Sequence, residues 1–230
     1  MKPKFFVKYA QLELYVSQPR LNRFLRACGN SKSKAQKLYK INLRVAQAFY
    51  PVMNLFEIFL RNALNNQLAL HFNDHDWIIN QKPLFMSHLS LAPSRYFLRG
   101  CVLKAESKIR PQPITSGKII SEQTLGFWTA LFDNHHYILL HGSIMAAFPN
   151  KSAATNRSAI ATKLKNIREF RNRIYHNEPI CFRGNSVDFS AATQILSDVH
   201  DVIGWIDPNL LGYTEYFNNV NDKINLANTL

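Results

Sequence analysis

At 230 residues the chain is long enough to bury one sizeable core. Hydrophobic residues make up 47% and charged ones 19%, which excludes a disordered or fibrous chain. The 28 Lys and Arg against 15 Asp and Glu leave a net charge of +13, a field that favours a polyanion: nucleic acid or an acidic membrane surface.

The start of the chain does not read as a signal peptide, because Lys8 and Glu13 interrupt MKPKFFVKYAQLELYV and no small-residue cleavage site follows. Residues 1–50 hold eleven Lys and Arg against the single acid Glu13. Arg20, Arg23 and Arg26 recur three apart on a predicted first long helix. Lys32, Lys34, Lys37 and Lys40 follow Gly29 at a predicted loop and helix start. Arg20, Arg23, Arg26, Lys37 and Lys40 are therefore candidate RNA contacts, each releasing counterions from a phosphate. A solvated basic face is the plain alternative.

Leu38 to Phe72 predicts a long helix or two abutting ones, apolar nearly all round and so central and buried. Its polar residues Asn54, Glu57, Arg61 and Asn65 fall within about 80° of one another. Buried charges must be paired, so Glu57 and Arg61 either form an internal salt bridge or reach a functional helix elsewhere and support its site. Asn62 lies beside this stripe. The longest near-apolar run, Pro51 to Leu60, contains Asn54 and Glu57 and falls short of the ~20 residues of a membrane span. With three isolated cysteines, Cys28, Cys101 and Cys181, a soluble chain in a reducing cytoplasm is expected.

Asn73 to Pro93 reads as an irregular connection anchored by Trp77, and Ser94 to Ile109 as a helix ended by Pro111 and Pro113. Ser121 predicts a capped helix through Phe132, whose Phe127, Trp128, Leu131 and Phe132 read as core. His135, His136 and His141 come with no HExxH pattern, no Cys and no carboxylate nearer than Asp133, so neither metal nor cofactor is expected. Pro149 to Asn156 predicts a polar loop, after which Thr155 or Ser158 caps the next helix.

That helix ends in IREFRNRIYHNEP, Ile167 to Pro179. Leu164, Ile167, Phe170 and Ile174 form one apolar face, and Pro179 places the stop close to His176. Asn172 and His176 fall away from that face, with Arg168 near them and Arg171 at its edge. An imidazole suits proton transfer near neutral pH, and guanidinium forks suit phosphate oxygens. Asn172 either orients the imidazole or binds a phosphate oxygen. Lys165, Arg168 and Arg173 add candidate RNA contacts. A helix-end histidine that merely meets the dipole, with Glu169 and Arg173 as a surface pair, is the alternative.

Arg171, Asn172 and His176 in RNRIYH resemble the R-x(4–6)-H motif of HEPN domains. Together with LFEIFLRNAL at Leu55 to Leu64 and ISEQTLGFW at Ile120 to Trp128, in this order, they look like the Abi-like (AbiD/AbiF-type) abortive-infection proteins. The similarity covers roughly Ala46 to Asp207. It implies a HEPN-like helical bundle, metal-independent RNA cleavage at a dimer interface with Arg171, Asn172 and His176 as catalytic residues, and a role in phage defence. It also favours Glu57, Arg61 and Asn62 as supports of that site, and a small RNA or an acidic protein as antitoxin. A non-catalytic RNA-binding module is the competing class, and a membrane-surface protein a third.

A last helix is predicted from about Ser190 to Trp205, followed by an acidic tail. No alternating strand pattern occurs, so the expectation is all-α and one domain: a basic helical extension over 1–45, a core over 46–207 and an acidic tail over 208–230.

Overall fold

The computed structural model describes residues 7–230. Lys2 and Lys4, counted in the basic N-terminal segment, lie outside them. The chain is all-α, as expected, with one two-stranded hairpin among the described residues. It divides into two compact units, each drawn from separate stretches. One comprises the N-terminal stretch through Met53, Phe170–Ser197 and Glu215–Leu230. The other comprises Asn54–Glu169 and Asp198–Thr214.

In the first unit, α1 (Tyr9–Val16) stops at Ser17, which takes a positive φ of 80°. Helix α2 (Gln18–Ala27) therefore starts afresh, with Pro19 in its first turn where no N–H is needed. Gly29 and Asn30, both left-handed, turn the chain into α3 (Lys32–Phe72). Within this unit α3 buries Ala35, Leu38, Ile41, Val45, Phe49 and Val52, a stripe at spacings of three and four. Leu43 and Tyr50 on α3 stay exposed, as does Leu70 further along, so α3 is not apolar-buried all round as its composition predicted. Single exposed apolar side chains carry little penalty, and composition alone does not place them.

Phe24 of α2 packs edge-on against Tyr39 and Phe182, at 5.3 and 5.0 Å between ring centres. Phe182 belongs to β1 (Phe182–Arg183), which pairs antiparallel with β2 (Ser186–Val187) around Gly184 at φ 60°. The buried Asn42 side chain accepts the backbone N–H of Ile180 at 2.9 Å, tying this loop to α3. Near the C-terminus α12 (Val220–Asn225) and a 3-10 turn (Leu226–Thr229) complete the unit, with Lys37 donating to the Thr229 carbonyl.

The second unit takes the remainder of α3, then α4 (Trp77–Asn80), two 3-10 turns, α5 (Phe97–Ile109), α6 (Ser116–Glu122), α7 (Leu125–Ala130) and α8 (Asn134–Leu139). Most of α9 (Arg157–Tyr175), the end of α10 (Ser190–Ile206) and nearly all of α11 (Asn209–Glu215) complete it. Trp77, Trp128, Phe56, Phe127, Phe132 and Phe148 fill its core, each worth roughly 1.5–3 kcal/mol on full burial. Lys163 pairs with Asp198 and, at 2.9 Å, with Asp201.

Two local expectations are corrected. SEQTLGFW does not open one helix at Ser121: α6 is capped by Thr115, ends at Glu122, and extended Gln123 and Thr124 separate it from α7. The Gln123 side chain turns back onto the Ile119 carbonyl at 3.0 Å, and this buried bond stabilises the break. Helix α9 is capped by Asn156, whose Oδ1 accepts the Ala159 N–H at 2.9 Å, rather than by Thr155 or Ser158.

Candidate functional site

The C-terminal turn of α9 lies in the first unit and closes where Pro179 predicted. Phe170 and Ile174 are buried there, Phe170 against Phe49 at 5.0 Å, which fixes which way the helix is rolled. The end is a Schellman closure: Glu178 N–H donates to the Arg173 carbonyl at 2.8 Å and Asn177 N–H to Ile174 at 3.0 Å, with Asn177 at φ 56°. Arg173 seals the turn further, donating to the Pro179 carbonyl and pairing with Glu178 at 3.6 Å. Its guanidinium is thus used to hold the loop, where an RNA contact was expected.

His176 is the residue on which this closure converges. Its backbone N–H is the last to reach back in the α-pattern, to the Asn172 carbonyl at 2.9 Å, and its ring is exposed. Asn172 is exposed as well, and Arg171 half-buried. Arg171 lies over the ring of Tyr175 at 4.0 Å and donates to Asn172 Oδ1 at 3.4 Å. A rigid turn therefore presents an imidazole, an amide and a stacked guanidinium to solvent, the groups that proton transfer beside a phosphate requires.

Sequence reasoning missed the aromatic part of this surface. Tyr175 packs on Tyr50 of α3, ring centres 5.1 Å apart. Tyr50 in turn lines a cavity of about 440 Å³ with Arg44, Gln47, Phe217 and Lys223. The legible signal was a tyrosine on each of two helices, Tyr50 before Pro51 and Tyr175 before His176, at positions that no apolar periodicity claims.

The other candidates divide between the units. Among the basic N-terminal residues, Arg20, Arg26 and Lys40 are exposed. Arg23 caps the Phe182 ring at 4.5 Å and donates to the Gly184 carbonyl at 3.0 Å, so it holds the hairpin. Lys37 is bonded to Thr229, as described above. In the second unit, Arg168 donates to Thr129 Oγ1 at 2.8 Å, and Lys165 stands exposed 3.9 Å from Glu169. Both basic residues border a cavity of about 180 Å³ with Asp133 and Ser158. Glu57 and Arg61 line a smaller one of about 120 Å³ with Gln123 and Trp128. There Arg61 Nε and Trp128 Nε1 are buried with no hydrogen-bond partner among the described residues. Asn65 accepts from Trp77 Nε1 at 3.0 Å, and Asn62 is exposed.

One group in the second unit has the donor set of a cation site. Asp133, His135 and His136 bring one ligand atom each to within 4.8 Å of one another. His136 Nδ1–H donates to the Ala130 carbonyl at 2.7 Å, which leaves Nε2 with its lone pair. Both His135 Nε2 and His136 Nε2 are buried without a hydrogen-bond partner among the described residues. The cysteines are free thiols, and burial pushes Cys181 up to about 12, so it stays protonated and inert. Among the described residues no helix is long and apolar enough to cross a membrane. No protein-family model, curated protein or solved structure matches the chain.

Proposed function

We propose that the chain is a HEPN-type, metal-independent endoribonuclease acting as a cytoplasmic toxin of the abortive-infection kind. The observation that carries this reading is the closed end of α9, which presents His176 and Asn172 on exposed surface and pairs Asn172 with the half-buried Arg171. In the reaction a ribose 2′-OH attacks the adjacent phosphorus, the P–O5′ bond breaks, and a 2′,3′-cyclic phosphate and a 5′-OH result. His176 takes the 2′-OH proton or supplies one to the leaving 5′-oxygen. Arg171 neutralises charge on the phosphorane oxygens, and its stacking on Tyr175 orients the guanidinium for that. Asn172, its Oδ1 engaged by Arg171, offers its amide N–H groups to phosphate.

One imidazole does not serve as base and acid in the same step. A second copy of the chain across a two-fold axis supplies the other, which makes a C2 homodimer part of the proposal. Crowding of cations at such an interface costs free energy, and bound RNA phosphates relieve it, so RNA tightens the dimer. A toxin of charge +13 requires a neutralising partner, a small RNA or an acidic protein.

A second reading, an RNA-binding module without cleavage, is favoured by the Arg171–Tyr175–Tyr50 cluster, which holds RNA equally well uncut. Inducible expression separates the two. The nuclease reading expects wild type to arrest growth and His176→Ala to be tolerated at equal protein level. Equal toxicity of both, or none in either, assigns the chain to the binders.

A further inference from the structure

The first unit carries a feature that cleavage chemistry does not use: the cavity of about 440 Å³ beside Tyr50. We propose that it is a base-binding subsite, taking one unpaired nucleobase of single-stranded RNA next to the scissile position. This rests on RNA being the substrate. Four observations favour that occupant. The volume falls within the range of small-ligand pockets. Two of its walls are partly exposed aromatic rings, Tyr50 at 48% and Phe217 at 39% exposure, and an exposed ring surface is a platform for any base. Arg44 and Lys223 supply positive charge, and no carboxylate among the described residues lines the cavity, which suits the anionic backbone of a nucleotide and disfavours a basic partner.

The fourth observation concerns the hydrogen-bonding edge. Pro51 sits inside α3 and has no N–H, so the carbonyl of Gln47 loses its helical donor. Gln47 lines the cavity, and its carbonyl and amide together offer acceptors and donors to a base edge or a ribose hydroxyl. From this cavity a chain of ring contacts leads on: Tyr50 to Tyr175 at 5.1 Å with the rings tilted by 40°, then Tyr175 to the Arg171 guanidinium at 4.0 Å. A base on Tyr50 thus leads its own phosphate toward Arg171. The structure assigns Tyr50 a positioning role that selects splayed single strands over duplex.

The test uses the full chain with His176→Ala to prevent cutting, and short RNA strands carrying one 2-aminopurine. Binding should quench the 2-aminopurine, and Tyr50→Ala should weaken single-strand affinity about 5- to 100-fold while duplex affinity stays unchanged. Tyr50→Phe should restore binding. Arg44→Gln, at an exposed position, should lower the salt slope by roughly one phosphate contact without unfolding the chain. Quenching and affinity indifferent to Tyr50, or a loss shared equally by duplex, overturns the subsite alone. A parent protein that neither binds nor cuts RNA overturns the ribonuclease reading with it.

Discussion

His136 is fully buried, with Nδ1 committed to the Ala130 carbonyl and Nε2 unpartnered among the described residues. Burial pushes its pKa below the ordinary 6.5; the Ala130 bond opposes this, His135 adds to it, and Asp133 opposes it. His71 is lowered for the same reasons, burial first and then His141. As pH falls below about 6.5 the unfolded chain takes up these protons before the folded one. Stability is therefore full above that pH and declines below it. His136→Asn keeps a donor for Ala130 and removes the titration. Its melting temperature should fall less steeply between pH 7 and pH 5 than that of wild type. Parallel slopes would show that His136 is not the titrating group. None of this was legible in the sequence, where His135, His136 and His141 read only as a weak metal pattern. Which histidine is buried depends on packing, here Phe85 at 6.4 Å from His136.

At the scale of elements, α9 was the most legible part of the chain. Leu164, Ile167, Phe170 and Ile174 are buried where periodicity put them, and the stop falls at His176. Its cap was not legible, because Thr155, Asn156 and Ser158 are all competent and only loop geometry selects Asn156. Asn156→Ala should cost about 1 kcal/mol in urea unfolding. Asn177 is the sharper probe, since it must adopt a left-handed backbone. Asn177→Val should cost on the order of 1–2 kcal/mol and misplace His176, whereas Asn177→Gly should keep both stability and RNA cleavage. A valine variant as active and stable as wild type would mean that the Schellman closure does not position the imidazole. The break between α6 and α7 was hidden for a different reason. SEQTLGFW is locally helical in composition, and the buried Gln123–Ile119 bond that interrupts it is a tertiary outcome.

At the scale of the molecule, the all-α class followed from the absence of alternating patterns, while the two units did not. Each unit is assembled from distant stretches, through contacts such as Asn42 with Ile180 in the first and Lys163 with Asp198 in the second, which no local pattern announces. The charge imbalance was legible, but its use was not. Of the basic N-terminal candidates, Arg23 and Lys37 are bonded to distant segments of the fold, Arg26 donates to the Asn22 carbonyl of its own helix, and Arg20, Arg26 and Lys40 are exposed to a polyanion. Reversing these three together should weaken RNA binding and flatten its salt dependence, with the melting temperature unchanged. Sedimentation of the His176→Ala protein should show dimer, firmer with RNA than without; a monomer in both states would remove the composite site and leave the nuclease assignment to stand on cleavage.

Cleavage itself is the most direct measurement: single-stranded RNA incubated with purified protein in EDTA, with the product ends identified. The account predicts 2′,3′-cyclic phosphate and 5′-hydroxyl ends, and a loss of at least about 100-fold for either His176→Ala or Arg171→Ala. Full cleavage by both variants, or a strict requirement for added divalent metal, would contradict it.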